Sequence, residues 1–230
     1  MSIAGVDKMK PKLHPDFQPY ADDGGTVSGI TGKGFAVLAA DTRLISGYSI
    51  QTRNQPKVFK LTDKTVIGSA GCWCDCLTFV KILTNRLKHY RYENNKPMST
   101  VAVAQLVSNM LYSRRFFPYY VYNTVAGIDK DGQGFIYSYD PVGSYEPLKC
   151  SCAGAATEMI LPFLDCMVDG CNQTAKADEL KSMTKEKAKE LLKRAYTAAA
   201  ERHMNTGDSL QIVTVTPDGI EEEMFQLRKD

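Results

Sequence analysis

The run Phe35-Ala36-Val37-Leu38-Ala39-Ala40 is apolar at every position and is followed at once by Asp41 and Arg43. A strand without polar alternation belongs inside a layered structure, covered on both faces. Charge at the end of such a strand calls for buried partners. Lys57, at the head of the next apolar run (Val58, Phe59), is the candidate counter-charge. Upstream, Thr26 to Thr31 reads as a second strand, and the Gly32-Lys33-Gly34 break makes the two runs an antiparallel hairpin. A small residue at the head of that hairpin thus faces an aspartate and a lysine.

The rest of the chain alternates strand and helix signals. Tyr48 to Thr52, Val58 to Leu61 and Val66 to Gly68 read as strands that extend the sheet begun by the opening hairpin. Cys76, Phe79, Val80, Leu83, Leu87 and Tyr90 have helical spacing, from Asp75 to about Tyr92. Ser99 is placed to cap a second helix, with Val103, Leu106, Val107, Met110 and Leu111 as its stripe, ending before Phe116-Phe117-Pro118. Tyr119 to Ile128 and Phe135 to Tyr139 form a hairpin of a second sheet, followed by a loop over Asp140 to Tyr145. Gly154 to Met167 reads as a third helix bent at Pro162, and Thr184 to Met204 as a long fourth one. Leu210 to Val215 and Ile220 to Leu227 close the chain as a hairpin. Residues 1–23, with Pro11, Pro15 and Pro19, read as an N-terminal arm, and residues 24–230 as one domain.

Several function classes find no support. Against 28 basic side chains stand 26 acidic ones, a net charge of +2 that gives no electrostatic case for nucleic acid. No apolar run reaches the roughly 18 residues of a membrane span. The seven cysteines are odd in number and sit mostly in apolar or helical contexts, which suits free thiols in a reducing compartment. There the Asn172-Gln173-Thr174 glycosylation triplet is expected to go unused. A thiol-rich metal module remains an alternative, with Cys72, Cys74 and Cys76 as one half and Cys150 and Cys152 as the other, although alternate positions converge poorly on an ion. No metal or cofactor is expected. The block from Arg114 to Tyr120 mixes arginine with aromatic rings, a combination shared by RNA-stacking surfaces and protein interfaces.

Gly24-Gly25-Thr26, then Val37-Leu38-Ala39-Ala40-Asp41-Thr42-Arg43, then Lys57, then Ile67-Gly68-Ser69-Ala70-Gly71, resembles the proteasome beta-type subunits. The blocks Tyr112 to Tyr120 and Tyr139 to Tyr145 are most similar to the member at the sixth of the seven beta-ring positions. The resemblance implies an α+β fold of the N-terminal nucleophile hydrolase type, a four-layer αββα sandwich of two packed antiparallel sheets with helices on both outer faces. It implies a hetero-oligomer of the 20S core, in cytoplasm and nucleus, serving ubiquitin-dependent degradation. The implied partners are other beta subunits in the same ring, alpha-ring subunits and the opposite beta ring, with part of a neighbour's substrate pocket lined by this chain. Arg114 to Tyr120 is then expected at a subunit contact. The arm, with Phe17 and Tyr20, is placed to pack on a neighbour or on its own subunit.

Active members free a threonine by cutting themselves at a Gly-Thr bond. Its hydroxyl attacks the peptide carbonyl, its α-amine takes the proton, and a lysine oriented by an aspartate tunes the site. Carried onto this chain without gaps from Asp41, the nucleophile position falls on Gly25. Thr26 lies one residue later, and in a strand of period two it should face away from Asp41 and Lys57. A bulge at Gly32-Lys33-Gly34 would restore the register and leave an active peptidase with Thr26 as nucleophile. The serine position of active members is Ala155, within Gly154-Ala155-Ala156, and the second aspartate position is His203. Asp41, Lys57 and the Thr206 hydroxyl remain of the constellation. The expectation is a vestigial site in a non-catalytic subunit.

Overall fold

The computed structural model describes residues 18–170 and 183–229. Phe17, Cys171 and the Asn172 triplet lie outside them. The opening hairpin is β1 (Thr26–Gly32) and β2 (Phe35–Asp41). These sit between β10 (Cys150–Gly154) on one side and β11 (Ser209–Thr216) with β12 (Gly219–Gln226) on the other, giving the order β10-β1-β2-β11-β12. Every residue of β2 is buried.

The second sheet runs β5 (Val58–Thr62), β6 (Thr65–Gly71), β7 (Val121–Ile128), β8 (Gly134–Tyr139) and β9 (Tyr145–Leu148), all antiparallel. This corrects the expectation that β5 and β6 extend the first sheet. The flanks of β1 and β2 are taken by strands distant in sequence, so the chain crosses to the opposite sheet at Lys57. β3 (Leu44–Ser46) and β4 (Ser49–Thr52) make a separate two-stranded ribbon.

Helices α1 (Trp73–Asn94) and α2 (Thr100–Tyr112) cover the second sheet, and α3 (Thr157–Leu164) and α4 (Lys185–Ala200) cover the first. Three apolar layers result. Phe79, Leu83 and Val107 lie under α1 and α2, Ile160, Leu192 and Ala195 lie under α3 and α4, and Val27, Leu38, Ala126 and Val213 fill the space between the sheets. The fold is therefore an α+β sandwich of four layers. Ser99 caps α2 by accepting the N–H of Ala102 at 3.4 Å, and Thr184 caps α4 through the N–H of Lys187. The third helix begins three residues later than its expected start, because Cys150 to Gly154 pairs with β1. Past Pro162 the helix loosens into a π-helical turn over Asp165–Asp169.

The sheets approach closely at Gly68 of β6, where an added Cβ would stand 2.4 Å from Cγ1 of Val27 in β1. Gly68→Ala is expected to destabilise the chain by about 1–3 kcal/mol through overpacking. The check is a lower urea midpoint at unchanged slope.

Candidate functional site

The site lies where the head of β1 and the end of β2 meet the start of β5. β1 pairs with β2 from Val27↔Ala40 to Gly32↔Phe35 without a register shift, leaving Lys33 and Gly34 as the turn. No bulge brings Thr26 round. Gly25 has φ +85, and a Cβ built on it would stand 2.4 Å from Cε and 3.3 Å from Nζ of Lys57. Position 25 is thus the one whose side chain would meet the lysine. The Thr26 hydroxyl has other neighbours: it lies 3.2 Å from the hydroxyl of Thr206 and accepts the N–H of Ala156 at 3.0 Å. Ala156 is the residue before α3 and offers that helix no side-chain cap, so Thr26 supplies one from another strand.

Lys57 is buried and its Nζ donates to the backbone carbonyls of Asp41 and Arg43, both at 2.7 Å. Oδ1 of Asp41 lies 3.5 Å away and accepts the amide N–H of Thr26 at 2.7 Å. Three acceptors therefore surround the ammonium. Burial pulls the Lys57 pKa down, and the nearby Asp41 charge opposes that shift. Burial likewise pushes the Asp41 carboxyl up, against the pull of Lys57. Oδ2 of Asp41 has no hydrogen-bond partner among the described residues.

Arg43 has no partner assigned from the sequence. Its partner is Asp208, with Nε 2.8 Å from Oδ2, while Nη1 donates to the carbonyl of Met204 at 2.7 Å. Arg53 takes the other carboxylate oxygen at 2.6 Å. Asp208 has φ +68 and its carboxylate is buried. Burial alone would raise its pKa, but the hydrogen bonds and charges of Arg43 and Arg53 outweigh it and hold the carboxyl below the usual range. Sequence reasoning missed this residue. The available signal was a lone carboxylate after Thr206-Gly207, at the head of an apolar strand, in a chain with a buried guanidinium to neutralise.

The remaining predicted positions divide. Ala155 is at the site, its N–H donating to the carbonyl of Gly25 at 3.0 Å, and Thr206 reaches Thr26. His203 sits half-buried in the turn after α4 and joins the cluster through its backbone, whose carbonyl accepts the N–H of Thr206 at 3.2 Å. Its Nδ1 is buried with no hydrogen-bond partner among the described residues.

The arm enters the same place. The N–H of Asp23 donates to the carbonyl of Gly71, and its own carbonyl accepts the N–H of Ile45 at 3.1 Å, so it bridges the end of β6 and β3. Its carboxylate accepts the N–H of Trp73, the first residue of α1, at 2.7 Å. Tyr20 donates to the carbonyl of Pro118 and lies 5.7 Å from the rings of Phe117 and Tyr120, on its own subunit. The thiols are split between layers, Cys76 beneath α1 and Cys150 and Cys152 on the α3 and α4 side. Among the described residues no three His, Cys, Asp or Glu side chains come together in a group that could hold a metal.

Comparison with known proteins gives one consistent result. The proteasome subunit family model matches residues 21–215. Proteasome subunit beta type-1 of Danio rerio is 48% identical over 214 residues, covering 93% of this chain and 90% of that protein. The Drosophila melanogaster protein of the same name is 46% identical over 218 residues, covering 94% and 92%. Proteasome subunit beta type-6 of Saccharomyces cerevisiae is 43% identical over 225 residues, covering 95% and 93%.

The Asp208 cluster makes a pH-dependent contribution. Its carboxyl is held below the ordinary value of 3.8, so its stabilisation is complete above that value and is lost as the pH falls through the lowered one. Asp208→Asn is expected to cost about 3–5 kcal/mol at neutral pH, because the buried Arg43 loses the carboxylate that accepts from its Nε. Denaturation midpoints measured between about pH 2 and 6 should show a smaller loss toward acid in the variant than in the parent chain.

Proposed function

This chain belongs to the proteasome subunit family, as a beta-type subunit of the 20S core, and within that family we propose that it is a non-catalytic member. The observation that carries the reading is the direction of two neighbouring side chains. Position 25, which points at Lys57, is glycine, and the hydroxyl one residue later is spent on the N-terminus of α3 and on Thr206. In the intact chain the nitrogen of Thr26 is an amide bonded to Asp41, so it offers no lone pair to receive a proton. Ala155 supplies no hydroxyl, and His203 stands in place of a second carboxylate.

On this reading the work of the chain is geometric. It holds one place in each beta ring, meets its ring neighbours, an alpha-ring subunit and the opposite beta ring, and walls the chamber in which proteins are degraded by the ubiquitin-dependent route in cytoplasm and nucleus. The exposed rings of Tyr112, Phe116 and Phe117 support a subunit contact, since Phe116 is fully exposed and aromatic side chains anchor interfaces. Part of a neighbour's substrate pocket is expected to come from this subunit.

Intact-mass analysis of the chain released from assembled particles, after treatment with a threonine-directed electrophile, separates the two readings. The expected chain carries no adduct and does not begin at Thr26. A chain that begins at Thr26 and carries one adduct would make this subunit a peptidase.

A further inference from the structure

One open edge of the sandwich carries a groove that neither the vestigial site nor the aromatic block uses. β5 is the first strand of its sheet, so one flank pairs with β6 and the other is free of strand partners. The C-terminal half of α1 and the turn into β12 rise beside it and enclose a cavity of about 490 Å³. Its floor is apolar, from Leu87, Met98 and Ile220. Its rim carries Lys60 of β5 together with Lys88 and Arg91 of α1, which lie three residues apart and so share a helix face. All three cations are exposed, and among the described residues none has an ion-pair partner. The α4–β12 surface contrasts with this, because Lys189 and Lys193 there are matched by Glu221 and Glu223. A single carboxylate, Asp63, lines the groove.

We propose that this groove docks an extended acidic segment of a fellow subunit, a proposal that rests on the chain's membership of a multi-subunit assembly. One apolar side chain of the segment sits on Leu87, Met98 and Ile220, and its carboxylates meet Lys60, Lys88 and Arg91. The extended form follows from the flank of β5 beyond Val58, since Gln211 takes both backbone groups of Val58 and only those from Lys60 onward can pair with a further strand. The register of β5 against β6 shifts between Lys60 and Thr62, and an irregular edge supports only a short ladder. Charge and the apolar anchor therefore carry the recognition. Nucleic acid is a poorer match, because the floor offers aliphatic side chains instead of rings for bases to stack on.

Two of the three cations, Arg91 and Lys60, also have a structural use. Arg91 lies in the last turn of α1, where a cation complements the helix dipole, and a lysine on an edge strand discourages sheet addition. Binding measurements separate these uses from docking. The probe is a fluorescent acetyl-Glu-Leu-Glu-Leu-Glu-amide, with acetyl-Lys-Leu-Lys-Leu-Lys-amide and inorganic tripolyphosphate as controls, titrated against the isolated full chain and the assembled particle.

The expected result is saturable binding of the acidic peptide to the isolated chain and none of the basic one. Lys88→Glu with Arg91→Glu should weaken it at least about tenfold, with a similar loss on raising the salt. In the particle the groove is covered and the probe is excluded. Failure of the acidic peptide to bind, binding unaffected by the double charge reversal, or complete displacement by tripolyphosphate at matched charge concentration would overturn the proposal. So would equal binding to the particle, which would leave the groove open in the assembly. None of these readouts depends on whether the subunit cuts peptides.

Discussion

Lys57 is the point at which the two sheets are tied together. Its ammonium, at the head of the second sheet, is held by the carbonyls of Asp41 and Arg43 at the end of β2 in the first. Gln211 of β11 repeats the connection a residue away, its side-chain oxygen accepting the N–H groups of Lys57 and Val58 and its amide donating to the carbonyl of Val58. A buried charge of this kind is stable only while its acceptors stay in place. That requirement fixes the end of β2, the start of β5 and the neighbouring Asp41, and through Asp41 the head of β1.

On the proposed non-catalytic reading, the same constraint accounts for the parts of a catalytic layout that this chain keeps. Asp41 and Lys57 are retained by packing, since removing either leaves the other charged and buried, at a cost of about 3–5 kcal/mol. The Arg43–Asp208 pair fixes the turn that carries Thr206, and Thr206 in turn meets the Thr26 hydroxyl. Each group in the cluster therefore has a structural duty whether or not peptides are cut. A side chain at position 25 would displace Lys57, and the glycine there lets Lys57 pass close to the β1 backbone.

Much of this was legible in the sequence, wherever the signal is local. The unbroken apolar run of β2, the helical stripes of α1, α2 and α4, the Ser99 cap and the three hairpins follow from periodicity and turn chemistry. Sheet membership was not legible for β5 and β6, because it depends on which distant strands take the flanks of β1 and β2. Strand β10 was not legible, and its last residue, Gly154, reads as the start of the third helix, since Cys150-Ser151-Cys152-Ala153-Gly154 has small side chains that suit either state. At the site, Lys57 was legible because a buried strand ending in charge demands a counter-charge. Asp208 was not, because nothing in a linear reading assigns one carboxylate among 26 to one guanidinium. The cap that Thr26 gives to α3 also escaped notice, since the two residues involved are 130 positions apart.

The central claim is that Thr26 holds structure and performs no chemistry, and one substitution tests it directly. Particles assembled with Thr26→Val lose the hydroxyl that accepts from Ala156 while keeping the shape of the side chain. The account predicts a lower thermal midpoint, with peptide hydrolysis per particle unchanged for acidic, basic and apolar substrates alike. Loss of one of those hydrolytic activities in fully assembled particles of unchanged thermal stability would contradict it.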